Sequence, residues 1–249
     1  MPYLQSAAQR AEFQTYLDMW FCREAELAAM CGTEVATVRQ LVAKGGIPGV
    51  VYRFDTRGAA WSALAAYQGL EQPECAASAT EWFTPASARW VRRAVLLARA
   101  GDASAAETLK QQFLDDYIAA IESVPATLRE GLASSESGEE VWDAWVRGAY
   151  AVCMRIFTAE TIVDKHCRQV RAKRLLAAGE LTPDELPPDE RLMLHEDIEA
   201  LAGFLTPFSP FERPNGTPGT VIDRGLAELG LGTENPFSAT SPAPLREAC

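Results

Sequence analysis

Apolar residues in this chain return every three or four positions and almost nowhere every two, a spacing that builds helices packed on helices. The start and stop signals agree. Ser6 stands ready to cap a helix that carries Phe13, Tyr16, Leu17 and Trp20 on one face, and a second, short helix is expected over Arg23–Met30. Cys31-Gly32 breaks it, and Thr33 is expected to cap a third helix with Val35, Val38, Leu41 and Val42 inward. Gly45-Gly46 and Pro48 end that helix. One segment, Val50-Val51-Tyr52-Arg53-Phe54, reads as a strand and suggests a wing-like extension. The expected fold is therefore all-α with at most one short strand or hairpin.

Residues 55–83 are ambiguous: 59–69 carry a weak helical pattern and 71–80 a polar connection, which makes this stretch the candidate domain boundary. Beyond it, Thr84-Pro85 opens a helix bearing Trp90, Val91, Val95, Leu96 and Leu97, which Gly101 stops. Asp102 begins the next, with Leu109, Phe113, Tyr117 and Ile121 at helical spacing. Ser137 and Glu140 have capping-box spacing ahead of a helix expected to run from Val141 through Ile156, and Thr158 caps another that reaches about Ala178. A second capping box, Thr182 with Glu185, and the pair Pro187-Pro188 introduce a helix over 189–203. Three closely spaced prolines make 206–214 non-helical, because each removes a backbone donor and fixes an extended φ. A last helix is expected near Thr220–Leu229. The resulting division is a helix-turn-helix-like unit over 1–55 packed on a helical domain over 84–230, with 231–249 a disordered tail rich in Ser, Pro and Ala.

Composition narrows the function classes. Hydrophobic residues make up 48% of the chain and charged residues 23%, enough apolar surface for a sizeable core. The net charge is −11, which repels a phosphate backbone unless a local basic patch overrides it. No such patch exists in the helix-turn-helix-like unit, where Arg10, Arg23, Arg39, Lys44 and Arg53 face Glu12, Asp18, Glu24, Glu26, Glu34 and Asp55. Thr33, Glu34, Thr37, Arg39 and Lys44 would form the exposed face of its second helix, yet nucleic acid is not the expected partner; a lid or docking unit is preferred. No run approaches the ~18 apolar residues of a membrane span, and no export signal precedes the first helix, so a cytoplasmic protein without membrane partner is expected. Six cysteines without Cys-x-x-Cys spacing read as reduced core thiols. With His166 and His195 the only imidazoles, no metal site is expected.

Three constellations remain. Lys165, His166, Arg168, Arg171, Lys173 and Arg174 lie on one helix and form either an anion site or a solvated face favoured by the helix dipole. Cys153, with Lys165 and His166 on the following helix, could bring a thiol and two bases into one cleft; the alternative is a packed core thiol. The loop Pro207-Phe208-Ser209-Pro210-Phe211-Glu212-Arg213-Pro214 is a stiff binding loop or, equally, an aromatic plug whose Glu212 and Arg213 fasten helix ends. The catalytic candidates are thus Cys153 and Lys165, and the substrate-binding candidates Tyr150, His166, Phe208, Ser209, Glu212 and Arg213. His195 and Glu199, one turn apart, read as a surface pair.

The order of short motifs resembles an uncharacterised family of bacterial proteins labelled natural-product biosynthesis proteins. Tyr16-Leu17, Leu27-Ala28-Ala29, Gly45-Gly46-Ile47-Pro48, Trp90, the Gly148-to-Cys153 helix with Ile162 and Lys165, and Pro207-Phe208-Ser209-Pro210 carry the likeness, collinear from Tyr16 to Arg224. The Pro-rich tail and Pro214-to-Pro218 depart from the pattern. The resemblance implies a small-molecule tailoring or accessory protein of secondary metabolism, with no reaction or cofactor specified. A DNA-binding regulator of biosynthetic genes and a protein-interaction adaptor are the alternatives.

Overall fold

The computed structural model describes residues 4–134, 136–177 and 186–231. The expected disorder after Leu231, the expected end of the Thr158 helix near Ala178 and the second capping box lie outside these residues. The described chain is mostly helical and divides into two compact units: Met1–Asp115 with Ser137–Phe157, and Asp116–Glu136 with the described residues from Thr158 onward.

The first unit begins with α1 (Ala7–Trp20), closed by a Ser6–Gln9 capping box and burying the four aromatic and aliphatic residues expected of it. Then come α2 (Glu24–Met30) and α3 (Val35–Ala43), which pack on each other and bury Leu27, Val38 and Leu41. Glu34, not Thr33, occupies the position before α3 and makes no side-chain cap.

The expectation of at most one short strand or hairpin falls short by a strand. Three short strands, β1 (Tyr52–Phe54), β2 (Ala60–Ser62) and β3 (Thr80–Trp82), form an antiparallel sheet in the order β2-β1-β3. Tyr52 pairs with Ser62 on one side and Trp82 on the other. At three residues each, β2 and β3 are too short to show an alternating pattern, and both lie in the region that sequence reading left ambiguous.

Asp55 explains why this region closes. Its carboxylate is almost fully buried and accepts from the N–H groups of Arg57 and Ala59 in the β1–β2 turn, from the Arg57 guanidinium, and from the N–H of Ala76. The polar connection is thereby returned to the sheet, and both its ends belong to the first unit. Burial alone would raise the Asp55 pKa, but those donors outweigh it and hold the group down at about 2.

After α4 (Ala63–Tyr67), α5 (Ser87–Arg99) contacts α2 and α3. Gly101 at φ +91° turns the chain into α6 (Ala105–Ser123). Asp102 accepts from the Ser104 N–H and the Thr108 hydroxyl, which fastens that start. The helix expected from Val141 to Ile156 is broken into α7 (Gly138–Val146) and α8 (Ala149–Cys153). Gly148 makes the break: its φ is +90°, and a Cβ there would stand 2.6 Å from that of Ala63. Two aromatic groups fill this unit, Phe13, Tyr16, Phe21, Tyr52 and Phe54 in one and Trp90, Phe113, Trp142, Trp145 and Phe157 in the other. The Trp90 indole donates to the Phe157 carbonyl at 3.0 Å, satisfying the buried N–H that an aromatic core must place.

In the second unit a 3-10 segment (Ala126–Ser134) and α10 (Pro188–Phe204) pack along α9 (Ala159–Ala177). Thr158 caps α9 as expected, accepting from the Thr161 N–H. The final helical stretch starts as a π-helix (Pro218–Asp223) and continues as α11 (Arg224–Glu228). Gly225 lets it sit against Ile198, where a Cβ would come within 2.3 Å of a side-chain carbon. No helix among the described residues is long and apolar enough to cross a membrane.

Candidate ligand site

In the second unit the polar groups singled out from the sequence are spent on one another. Asp197 is fully buried, and its carboxylate receives Arg171 through two bonds of 2.7 Å and Arg168 at 3.1 Å. Arg168 also donates to Asp164, one turn earlier on α9. Two members of the cationic helix therefore clamp α9 to α10. His166, beside Lys165, is held down to a pKa of about 3, first by burial and then by that neighbouring cation. Lys165 itself is buried. His195 and Glu199 form an open pair at 3.8 Å.

The proline loop is closed in the same way. The Ser209 hydroxyl donates to Glu212 at 2.7 Å and accepts from the Glu212 N–H. Arg213 meets Asp223 through two bonds of 2.6 and 2.8 Å and donates to the Pro207 carbonyl. Phe208 is buried at φ +62°, with its ring against Gly216, where a Cβ would lie 2.5 Å from a ring carbon. A non-glycine residue held in the left-handed region is strained, and the surrounding ties fix it there.

Cys153, at the end of α8, is half-buried and belongs to the first unit together with Tyr150, whose buried ring leans on Phe157. Lys165, His166, Phe208, Ser209, Glu212 and Arg213 belong to the second. The candidates thus divide between the units, two in the first and six in the second. Cys22, Cys31, Cys75, Cys153 and Cys167 are unbridged.

A different place offers several polar side chains that no other described residue has claimed. Between α3, α5 and the start of α6, wholly within the first unit, lies an open cleft of about 740 Å³, within the usual range for small-molecule sites. Ala94, Ala98, Ala105 and Ala106 give it a small, apolar floor. Thr33, Thr37, Gln40 and Lys44 line one wall at successive helical turns, and Arg99 and Asp102 stand on the other. By contrast Arg39, on the neighbouring stripe of α3, is taken by Glu24 through three contacts of 2.7 to 3.1 Å.

Sequence reading noticed Thr33, Thr37 and Lys44 as an exposed helix face but did not give that face an opposite wall. Arg99 and the alanines around it carry no local motif. The available signal was the alanine-rich helix stop and restart at Ala98–Ala106, across from a polar stripe; only the tertiary contact of α3 with α5 joins the two.

Residues 103–230 match a family of unknown function (DUF6058). The chain belongs to that family. The DUF6058 match covers α6 to α11, and so the second unit's helices and the α6 edge of the cleft. No curated protein and no solved structure matches the chain.

Proposed function

We propose that this DUF6058 protein is a small-molecule-binding accessory or tailoring protein of natural-product biosynthesis, and that the α3–α5–α6 cleft seats its ligand. The observation that carries the reading is the cleft itself: about 740 Å³, floored by alanine and walled by hydroxyl, amide and cationic groups free to meet a ligand. The natural-product setting rests on the collinear motifs of the sequence alone.

A duplex-binding role draws support from one feature, the α2–α3 pair followed by the β1–β2 hairpin, an arrangement that can present a helix and a wing to DNA. Electrostatics argue against it. Arg39 is held by Glu24, Arg53 of the hairpin by Glu81 and Arg57 by Asp55, so three of the cations that would meet phosphates already have a carboxylate, which leaves Lys44 to stand for α3.

Native mass spectrometry of the protein purified from cells that make it tests the proposal. A small molecule should accompany the wild type and be absent from Ala98→Trp, which fills the cleft from an exposed position on α5. A bare wild-type protein, together with an unchanged metabolite profile in an Ala98→Trp strain, would contradict it.

A further inference from the structure

We infer that the ligand of this cleft carries an anionic group, a carboxylate, phosphate or sulfonate, on an apolar body, and that Lys44 and Arg99 hold the anion; the inference rests on the cleft being the ligand site. Both cations line the cleft, and neither has an ion pair or a side-chain hydrogen bond to another described residue. Arg39, Arg53, Arg57, Arg168, Arg171 and Arg213 by contrast all meet a carboxylate, and Arg89, Arg93 and Lys173, which share the lack of a described partner, do not line the cleft.

The two cations also sit at the same end of the cleft. A Cβ on Gly46, just past α3, would lie 3.1 Å from that of Ala106, which sets the C-terminal end of α3 against the start of α6. Arg99 precedes that start by the Gly101 turn.

Two carboxylates border the cleft, and neither takes this role from the cations. Asp102 is committed through both oxygens, to the Ser104 N–H at 2.8 Å and the Thr108 hydroxyl at 2.6 Å. Glu34 lies at the opposite end of α3, ten residues from Lys44 and so about 15 Å away along the helix. Gln40 and Thr37, with side chains likewise uncommitted, extend the donor row toward the middle of the cleft. The alanine floor beneath supplies contact for an apolar body and nothing to hydrogen-bond it.

A matched pair of dyes separates the anion from the apolar body. Anilinonaphthalene sulfonate and its uncharged counterpart phenylnaphthylamine share one aromatic skeleton and differ by the sulfonate. Both are to be titrated by fluorescence into the full chain, into the Lys44→Gln/Arg99→Gln double variant, and into Ala98→Trp. The expected result is that the double variant loses at least about tenfold in affinity for the sulfonate dye, the loss of a charge-assisted contact, while its affinity for the neutral dye stays within twofold. Wild-type sulfonate binding should weaken with salt, and the double variant's should not.

Equal loss of both dyes, or no loss of either, overturns the anion assignment while leaving the cleft as a ligand site. If neither dye binds the wild type, or if both still bind Ala98→Trp, the cleft reading itself falls. Thr37→Tyr fills the cleft from the opposite wall and makes the same discrimination should Ala98→Trp fail to fold.

Discussion

The α9–α10 face of the second unit and the α3–α5 face of the first are both rich in polar side chains, yet they have opposite fates. On the former, Arg168 and Arg171 converge on a buried Asp197, and nearby Arg213 grips Asp223 and the Pro207 carbonyl. On the latter, the side chains of Thr37, Gln40, Lys44 and Arg99 border open space with no partner among the described residues. Charge density in the sequence therefore marks where the fold is fastened as readily as where a ligand binds. What separates the two is whether an opposite charge is already in place, and a buried charge without one would cost several kcal/mol.

The comparison breaks most visibly at Asp197. Replacing it by Ala takes the counter-ion from Arg171 and leaves Arg168 with Asp164 alone, both guanidinium groups being largely buried, and should lower stability by about 3 kcal/mol in a denaturant titration. Asp197→Asn, which keeps the shape and one acceptor, should lose less. A loss below about 1 kcal/mol for the alanine variant would place this cluster with ordinary surface ion pairs.

His166 gives a smaller effect that depends on pH. Its folded pKa, about 3, lies below the ordinary 6.5, so the unfolded chain takes up the proton first. The neutral form's stability is fully present above 6.5 and drains away as pH falls toward about 3, at most about 1.4 kcal/mol per pH unit for one proton. Unfolding measured at pH 7, 6 and 5 should show this decline in the wild type and a flatter profile in His166→Gln. Parallel profiles would mean that the imidazole titrates as if in water.

The smallest stability effect is expected in the cleft. Lys44→Gln and Arg99→Gln should each change unfolding free energy by no more than about 0.5 kcal/mol, as substitutions of exposed residues without partners do. A large loss would show that these cations are fasteners after all.

How far the sequence alone reaches follows the same division. The Ser6 cap, the Ser137 capping box, the Thr158 cap and the Gly101 stop were legible because each is written in residues close together in the chain. The sheet was not, since its strands are three residues long and Asp55 holds the returning connection from 21 positions away in sequence. The break at Gly148 was hidden because Ala149 to Cys153 continue a helical pattern, and the close approach that leaves no room for a Cβ comes from Ala63, on a helix distant in sequence. The proline loop was read as non-helical, which holds as far as Glu212 before a 3-10 turn takes Arg213–Asn215, and its Ser209–Glu212 and Arg213–Asp223 ties follow the alternative in which Glu212 and Arg213 fasten structure. Of the cleft, only the α3 wall could be read, since its partner wall contributes through alanines, which announce nothing by themselves.

The central claim, that the unclaimed polar groups of α3 and α5 border the ligand seat, is tested most directly by methyl NMR on alanine-labelled protein titrated with anilinonaphthalene sulfonate. Ala94, Ala98, Ala105 and Ala106 line the α3–α5–α6 cleft, while Ala120 lines a smaller groove of about 200 Å³ in the second unit. The account predicts saturable shifts in the first four methyls and none at Ala120. Shifts centred on Ala120, or still cleft alanines under a dye that demonstrably binds, would contradict it.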